Sequence, residues 1–282
     1  MWLRMLFISL LVYSGCLSAA DYRIERVKEN VYRFSAGHYH SVFMVTQSGV
    51  FVTDPINPKA AAYLKQQIKQ RFNQPIRYMA YSHNHIDHTL GGEQLADAEV
   101  EILAHEYAAE DLEWTQTPTV LPTQTFADGM TVKLGDSSVQ LNYHGPNNGR
   151  GSVSMRFMPA NVLYVVDWIV IGRMPYKDLP GYDIHGMIHS TQEILRQPAF
   201  DVFVGGHAEM GTRHDVQRYL NYLQDLYLAV VEGMLDGKSL AELQAEIKLD
   251  DYRDLAMYEE WLPLNIKGVH DTLLAMSYFD RR

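Results

Sequence analysis

Tyr81-Ser82-His83-Asn84-His85-Ile86-Asp87-His88-Thr89-Leu90-Gly91-Gly92 is the stretch on which the reading of this chain turns. It follows Ile76 to Tyr81, an apolar run that reads as a buried strand. His83 and His85, one residue apart, can face a single point from an extended turn. Asp87 and His88 then arrive as the chain bends into a following helix. Imidazole nitrogen and carboxylate oxygen are donors that Zn²⁺ prefers. Crowding so many polar side chains at the end of an apolar strand is costly unless they share a partner. A solvated, accidental His-rich turn is the competing reading, and its placement against a buried strand argues against it.

Outward from this cluster, the N-terminal side is rich in strands. Tyr22 to Val27, Val31 to Ser35, Ser41 to Thr46 and Val50 to Thr53 alternate or run apolar between Glu-Asn, Gly and Ser-Gly turns. Lys59 to Phe72 carries Ala61, Leu64, Ile68 and Phe72 at helical spacing, and Gln74-Pro75 stops it. On the C-terminal side, Leu90 to Leu95 reads as a short helix and Val100 to Ala104 as a strand. Thr131 to Leu134, Ser138 to Tyr143, Ser152 to Phe157 and Val162 to Val166 repeat the strand theme. Ile184 to Arg196 is a helix leading into a strand over Asp201 to Val204. Val216 to Leu235, Leu240 to Ile247 and Leu264 to Tyr278 read as helices. Two halves of strands followed by a helix suggest two packed sheets with helices outside, in one domain over 21–282 that is mainly helical from about residue 213.

The bulk numbers agree with a folded, acidic protein. At 282 residues, 47% hydrophobic and 21% charged, the chain is long and apolar enough for a sizeable core. Its net charge of −10 opposes polyphosphate partners, and no basic run compensates, so nucleic acid is not expected. Residues 1–20 read as a secretory signal: Arg4, the apolar Met5 to Val12, then Ser18-Ala19-Ala20 as a cleavage point. That run is shorter than the roughly 20 residues of a membrane span, and no later segment qualifies. The expectation is a periplasmic or secreted protein. Ser14-Gly15-Cys16 also resembles a lipoprotein processing site, although Tyr13 stands where Leu is usual, so a lipid anchor at Cys16 is the less favoured outcome.

The cluster resembles the His-x-His-x-Asp-His signature of the metallo-β-lactamase fold superfamily, and further elements follow in that family's order. Ser41 to Asp54 resembles its opening hairpin with a strand-end Asp, Val165-Val166-Asp167 a strand end supplying a bridging carboxylate, and Gly205-Gly206-His207 a late ligand. The resemblance implies a four-layered αββα sandwich with metal along one edge. It further implies that His83 and His85 hold a first ion, Asp87, His88 and His207 a second, and Asp167 both. One or two Zn²⁺ are expected, with iron and manganese left open. The family's remaining histidine falls in a segment matched by Gly145-Pro146-Asn147-Asn148-Gly149-Arg150-Gly151-Ser152, where Asn148 stands instead. A neutral amide oxygen is a poorer zinc donor than imidazole, so Asn148 is expected to be a weak ligand and the first site weakened, unless His144 substitutes for it.

The function this implies is an exported zinc-dependent hydrolase using metal-activated water on a small ester, thioester, lactone, lactam or related substrate. Asp87 is the candidate catalytic residue, orienting the nucleophile or taking its proton. Trp168, Arg173 and Tyr176, with Lys177 and Tyr182, follow the bridging Asp and are candidate substrate contacts, against an ordinary surface loop. Trp114 and the Thr115 to Thr125 loop carry the same pair of readings. His38 and His40 read as exposed turn histidines more readily than as site residues. Two alternatives stay open: a metal-binding or sensory protein with little turnover, and a metal-dependent oxidoreductase on the same scaffold. The di-iron branch carries Glu where this chain has His85, which disfavours the second.

Overall fold

The computed structural model describes residues 22–277, so the expected leader and Cys16 lie outside the described residues. The first sheet has seven strands in chain order: β1 (Tyr22–Lys28), β2 (Val31–Ala36), β3 (Tyr39–Thr46), β4 (Gly49–Thr53), β5 (Ile76–Ala80), β6 (Glu101–His105) and β7 (Gln124–Phe126). It is antiparallel up to β4 and parallel from β4 to β7. The crossover from β4 to β5 is α1 (Pro58–Phe72), opened by the Asn57 side chain accepting from Ala60 N and closed by left-handed Asn73. The second sheet comprises β8 (Gly129–Leu134), β9 (Ser137–Tyr143), β10 (Val153–Met158), β11 (Val162–Val165) and β12 (Val202–Gly205), in spatial order β12-β11-β10-β9-β8. Only β11 and β12 are parallel there, joined through α5 (Ile184–Arg196).

Period-two alternation decides which face meets which layer. Val42 and Met44 of β3, Phe51 of β4, Ala80 of β5 and Leu103 of β6 pack against Val139, Leu141, Met155, Phe157, Tyr164 and Val204 between the sheets. The intervening residues Phe43, Val50, Val52, Met79 and Ile102 turn outward onto α1. On the far side, Leu163, Val165 and Phe203 face α5, α6 (Arg213–Leu235), α7 (Leu240–Glu246) and α8 (Tyr258–Ser277). Strands β4 and β11 are buried along their whole length because both faces are covered, whereas β9 alternates buried Val139 and Leu141 with half-buried polar residues. The result is the expected αββα sandwich, with the C-terminal helices thickening one outer layer.

Some boundaries differ from the sequence reading. The short helix expected over Leu90 to Leu95 is two single turns, α2 (Ile86–Thr89) and α3 (Gly92–Leu95). Gly91 separates them at φ 92°, where a side chain would meet the Asn57 carbonyl carbon at 2.6 Å. Helix α4 (Glu106–Trp114) and strand β7 were not anticipated. Helix α4 buries only Ala108 and Leu112, too thin a stripe to register as periodic, and β7 buries Phe126 alone. Helix α8 starts at Tyr258, ahead of the expected Leu264, and carries Pro263 inside it. No helix among the described residues is long and apolar enough to cross a membrane.

His40 is buried and not the exposed turn residue expected, and His144 is buried too; each hydrogen-bonds a serine hydroxyl, Ser35 at 2.9 Å and Ser154 at 2.8 Å. Burial lowers both rings to about 4, with the Arg33 charge adding to the effect at His40. A histidine whose folded pKa is depressed stabilises the fold fully above its unfolded value near 6.5, and that stability is lost as pH falls toward 4. Two such groups give a slope of about 2.7 kcal/mol per pH unit in that window. Urea unfolding of chelator-treated protein at pH 7 and 5 is expected to show this excess slope over a His40→Gln/His144→Gln double variant. Equal slopes would contradict it.

Candidate metal centre

All six clustered donors stand at the C-terminal ends of three strands on one edge of the sandwich. His83 and His85 follow β5, Asp87 and His88 lie in α2, Asp167 follows β11 and His207 follows β12. Left-handed backbone at the non-glycine residues Asp54, Ile56, Asp167 and Ala208 (φ 27°, 71°, 67° and 68°) concentrates strain around this edge. Gly206 is required for closure: a Cβ there would lie 2.5 Å from Val166 Cγ1 and 3.2 Å from His88 Cε1. The edge is laced by His40 N donating to Gly206 O at 2.8 Å, and Tyr164 Oη stands 3.0 Å from His40 O. Buried Asp54 props the histidine loop, accepting from Ser82 N at 2.8 Å and from Tyr164 Oη at 2.7 Å.

The donors fall into two groups that meet at Asp167. Its Oδ2 lies 3.1 Å from His83 Nε2 and 3.1 Å from His85 Nδ1. Its Oδ1 lies 3.1 Å from His207 Nε2 and 3.6 Å from His88 Nε2. Asp87 Oδ2 completes the second group at 3.7 Å from His88 Nε2 and 3.9 Å from His207 Nε2. One carboxylate oxygen thus serves each group. Burial by itself would raise the Asp167 carboxyl, but contacts with His207, His83 and His85 outweigh it and hold the group well below the usual carboxylate range. Burial and the neighbouring His85 lower His83 to about 4, against the pull of Asp167, leaving a neutral ring with a free lone pair. Burial also disfavours a charged His88, yet Asp167 overrides it and raises that ring to about 9.

These residues suit a divalent ion. Tetrahedral donors at zinc bond lengths of about 2.1 Å stand about 3.4 Å apart, and the separations above straddle that value. His83 Nε2 is fully buried and, despite its nearness to Asp167, makes no aligned hydrogen bond. His88 Nε2 and His207 Nε2 face each other at 3.1 Å. Two lone pairs converging in this way repel unless a proton or a cation sits between them. The second group with Asp167 Oδ1 provides four donors; the first provides three. His207 is oriented from behind by the His38 carbonyl, which its Nδ1 faces at 3.2 Å.

Asn148 is buried beside the first group, as the sequence placed it, but its amide is turned. Nδ2 donates to Asp167 Oδ2 at 3.3 Å, and Oδ1 accepts from Ser152 Oγ at 3.0 Å. Ligation by Oδ1 requires the amide to turn over, which Ser152 permits because a hydroxyl accepts as well as donates. His144 is not recruited: its Nε2 is engaged with Ser154. Arg173, Tyr176 and Tyr182 line a cavity of about 460 Å³ above the donors, together with His38, Tyr39 and Trp261. Trp168 does not reach it. The chain turns inward after Asp167 and buries that indole completely in the core beneath the C-terminal helices. Trp114 is exposed and Arg150 lies over its ring at 4.9 Å, away from the cavity walls. The sequence reading missed Tyr39 and Trp261; Tyr39 adjoins His38, while nothing local to Trp261 signals the site.

Known proteins bear on this geometry in three ways. The sequence profile of the metallo-beta-lactamase superfamily matches residues 36–207. The alpha subunit of 2,4-dinitroanisole O-demethylase from Nocardioides sp. (strain JS1661) is 25% identical over 238 residues, spanning 83% of this chain and 69% of that protein. A solved metallo-beta-lactamase from Pontibacter korlensis superposes with a TM-score of 0.64 at 19% identity, covering 72% of this chain and 99% of its own. The solved structure shares the fold.

Proposed function

The chain belongs to the metallo-beta-lactamase superfamily, and from that premise we propose that it is a zinc-dependent hydrolase of a small molecule. The observation that carries the reading is the division of Asp167 between two donor groups, one oxygen to each. His88, His207, Asp87 and Asp167 would hold the tighter ion, and His83, His85 and Asp167 the weaker. A bound zinc supplies Lewis-acid polarisation and lowers the pKa of water to about 7. Asp87 is the residue placed to orient the attacking water or take its proton, because its side chain is 41% exposed and lines the cavity. Tyr39, Tyr176 and Tyr182 cover the same cavity and restrict bulk water around the reacting atoms.

Candidate substrates are esters, thioesters, lactones and lactams. The relative that is the alpha subunit of a 2,4-dinitroanisole O-demethylase adds electron-poor aryl ethers to that set. Fold does not choose among them. Export to the periplasm or medium, read from residues 1–20, belongs to the same proposal and is checked by cell fractionation. A chromogenic panel of these substrates, run with and without 1,10-phenanthroline, tests the activity. At least one substrate is expected to lose about 100-fold or more in rate with chelator and to recover on adding zinc. Chelator-insensitive turnover would overturn the reading, and tight metal retention without turnover would favour the sensory alternative.

A further inference from the structure

The cavity over the donors has a second end, to which Trp261, outside the residues that match the family, contributes a wall. Arg173 lines that end, with its Cζ 5.1 Å from the centre of the Trp261 ring. Trp261 comes from α8, beyond residue 207 where the family match stops. Tyr176 meets the same indole edge-on at 5.4 Å, and Tyr182 and Tyr39 add further flat walls.

The C-terminal segment also fixes the loop that bears Arg173. Ala256 pairs with it on both sides, accepting from Met174 N at 3.1 Å and donating to Gly172 O at 3.0 Å. Buried Asn265 donates to the carbonyls of Pro175 at 3.1 Å and Lys177 at 2.6 Å, and its own oxygen accepts from Tyr222 Oη at 2.7 Å. Gly268 lets the helix approach closely, since a Cβ there would lie 2.4 Å from Asp178 O. Arg173 is therefore held on a rigid support.

What it is held for is shown by what it lacks. Among the described residues the guanidinium has no hydrogen-bond or carboxylate partner, and its Nε is buried and unsatisfied. Arg77, Arg150 and Arg218, by contrast, each contact a carboxylate. A half-buried, unpaired guanidinium is costly in a chain with ten excess acidic charges unless an anion completes it. Its planar fork matches a carboxylate, and the flat aromatic walls match a flat ring.

We infer that Arg173 and Trp261 form a recognition subsite for the carboxylate of a small aromatic acid, whose reacting group then lies toward Asp167. The inference rests on reading the cavity as the substrate pocket and makes Arg173 and Trp261 determinants of specificity, with no part in bond making. Direct calorimetry of benzoate and benzamide binding to the full chain, both chelator-treated and zinc-loaded, tests it without turnover. In chelator-treated protein, Arg173→Met is expected to weaken benzoate about 10- to 100-fold and leave benzamide unchanged, with Arg173→Lys intermediate. Trp261→Leu is expected to weaken both probes. Equal binding of the two probes to wild type, no benzoate binding, or parallel loss of both in Arg173→Met would overturn the subsite. If Arg173→Met does not fold, Arg173→Lys decides: benzoate affinity equal to wild type would overturn the fork. Arg173-dependent benzoate binding in a protein without hydrolase activity would sink the hydrolase reading alone.

Discussion

Asp167→Asn is expected to empty both halves of the centre and to lower turnover by about 10³-fold or more, equivalent to roughly 4 kcal/mol of barrier. The side chain is buried, so an isosteric amide fits without disturbing packing. Its chemistry is wrong for both groups at once. One end becomes a neutral oxygen, and the other becomes an NH₂ donor aimed at His83 and His85 or at His88 and His207. Elemental analysis of the purified variant is expected to find well under one ion per chain, with far-UV circular dichroism unchanged. A variant that kept its metal and its rate would remove Asp167 from the account.

Asn148→His acts in the opposite direction. In the wild type the first group has two imidazoles and one carboxylate oxygen, and the Asn148 amide donates to that same oxygen. An NH₂ pointing at the carboxylate does the electrostatic work a cation would otherwise do, and so competes with it. A third imidazole removes the competitor and adds a neutral, borderline donor. Bound metal is expected to rise from about one ion per chain to about two, and the affinity of the first site by at least about tenfold. Ser152, which contacts Asn148 Oδ1, can accept from the new ring's N–H and set its tautomer. Unchanged stoichiometry would show that Asn148 is not what limits the first site.

How far the sequence could be read follows from where each signal resides. The sandwich was legible where strands are most deeply covered, because Val50 to Thr53 and Val162 to Val166 have no polar interruption. Donor residues were legible where they are local: four lie within six residues, and Asp167 and His207 each end a short apolar strand. Helix α4 was not legible, since Ala108 and Leu112 are its only buried residues. Trp168 misled because an aromatic beside a ligand looks like a pocket wall, and only the turn at Asp167 sends it inward. His40 misled because its turn-like neighbourhood conceals a strand position under the Gly206 loop. Trp261 reaches the cavity only through the packing of α8 on the 172–178 loop, a tertiary fact with no local signature.

Crystals of the zinc-soaked protein, measured on both sides of the zinc absorption edge, test the central claim most directly. The account predicts an anomalous peak about 2.0–2.2 Å from His88 Nε2, His207 Nε2 and a carboxylate oxygen of Asp167. A weaker peak is expected between His83, His85 and the other oxygen. Full zinc occupancy elsewhere with no peak between His88 and His207 would contradict it.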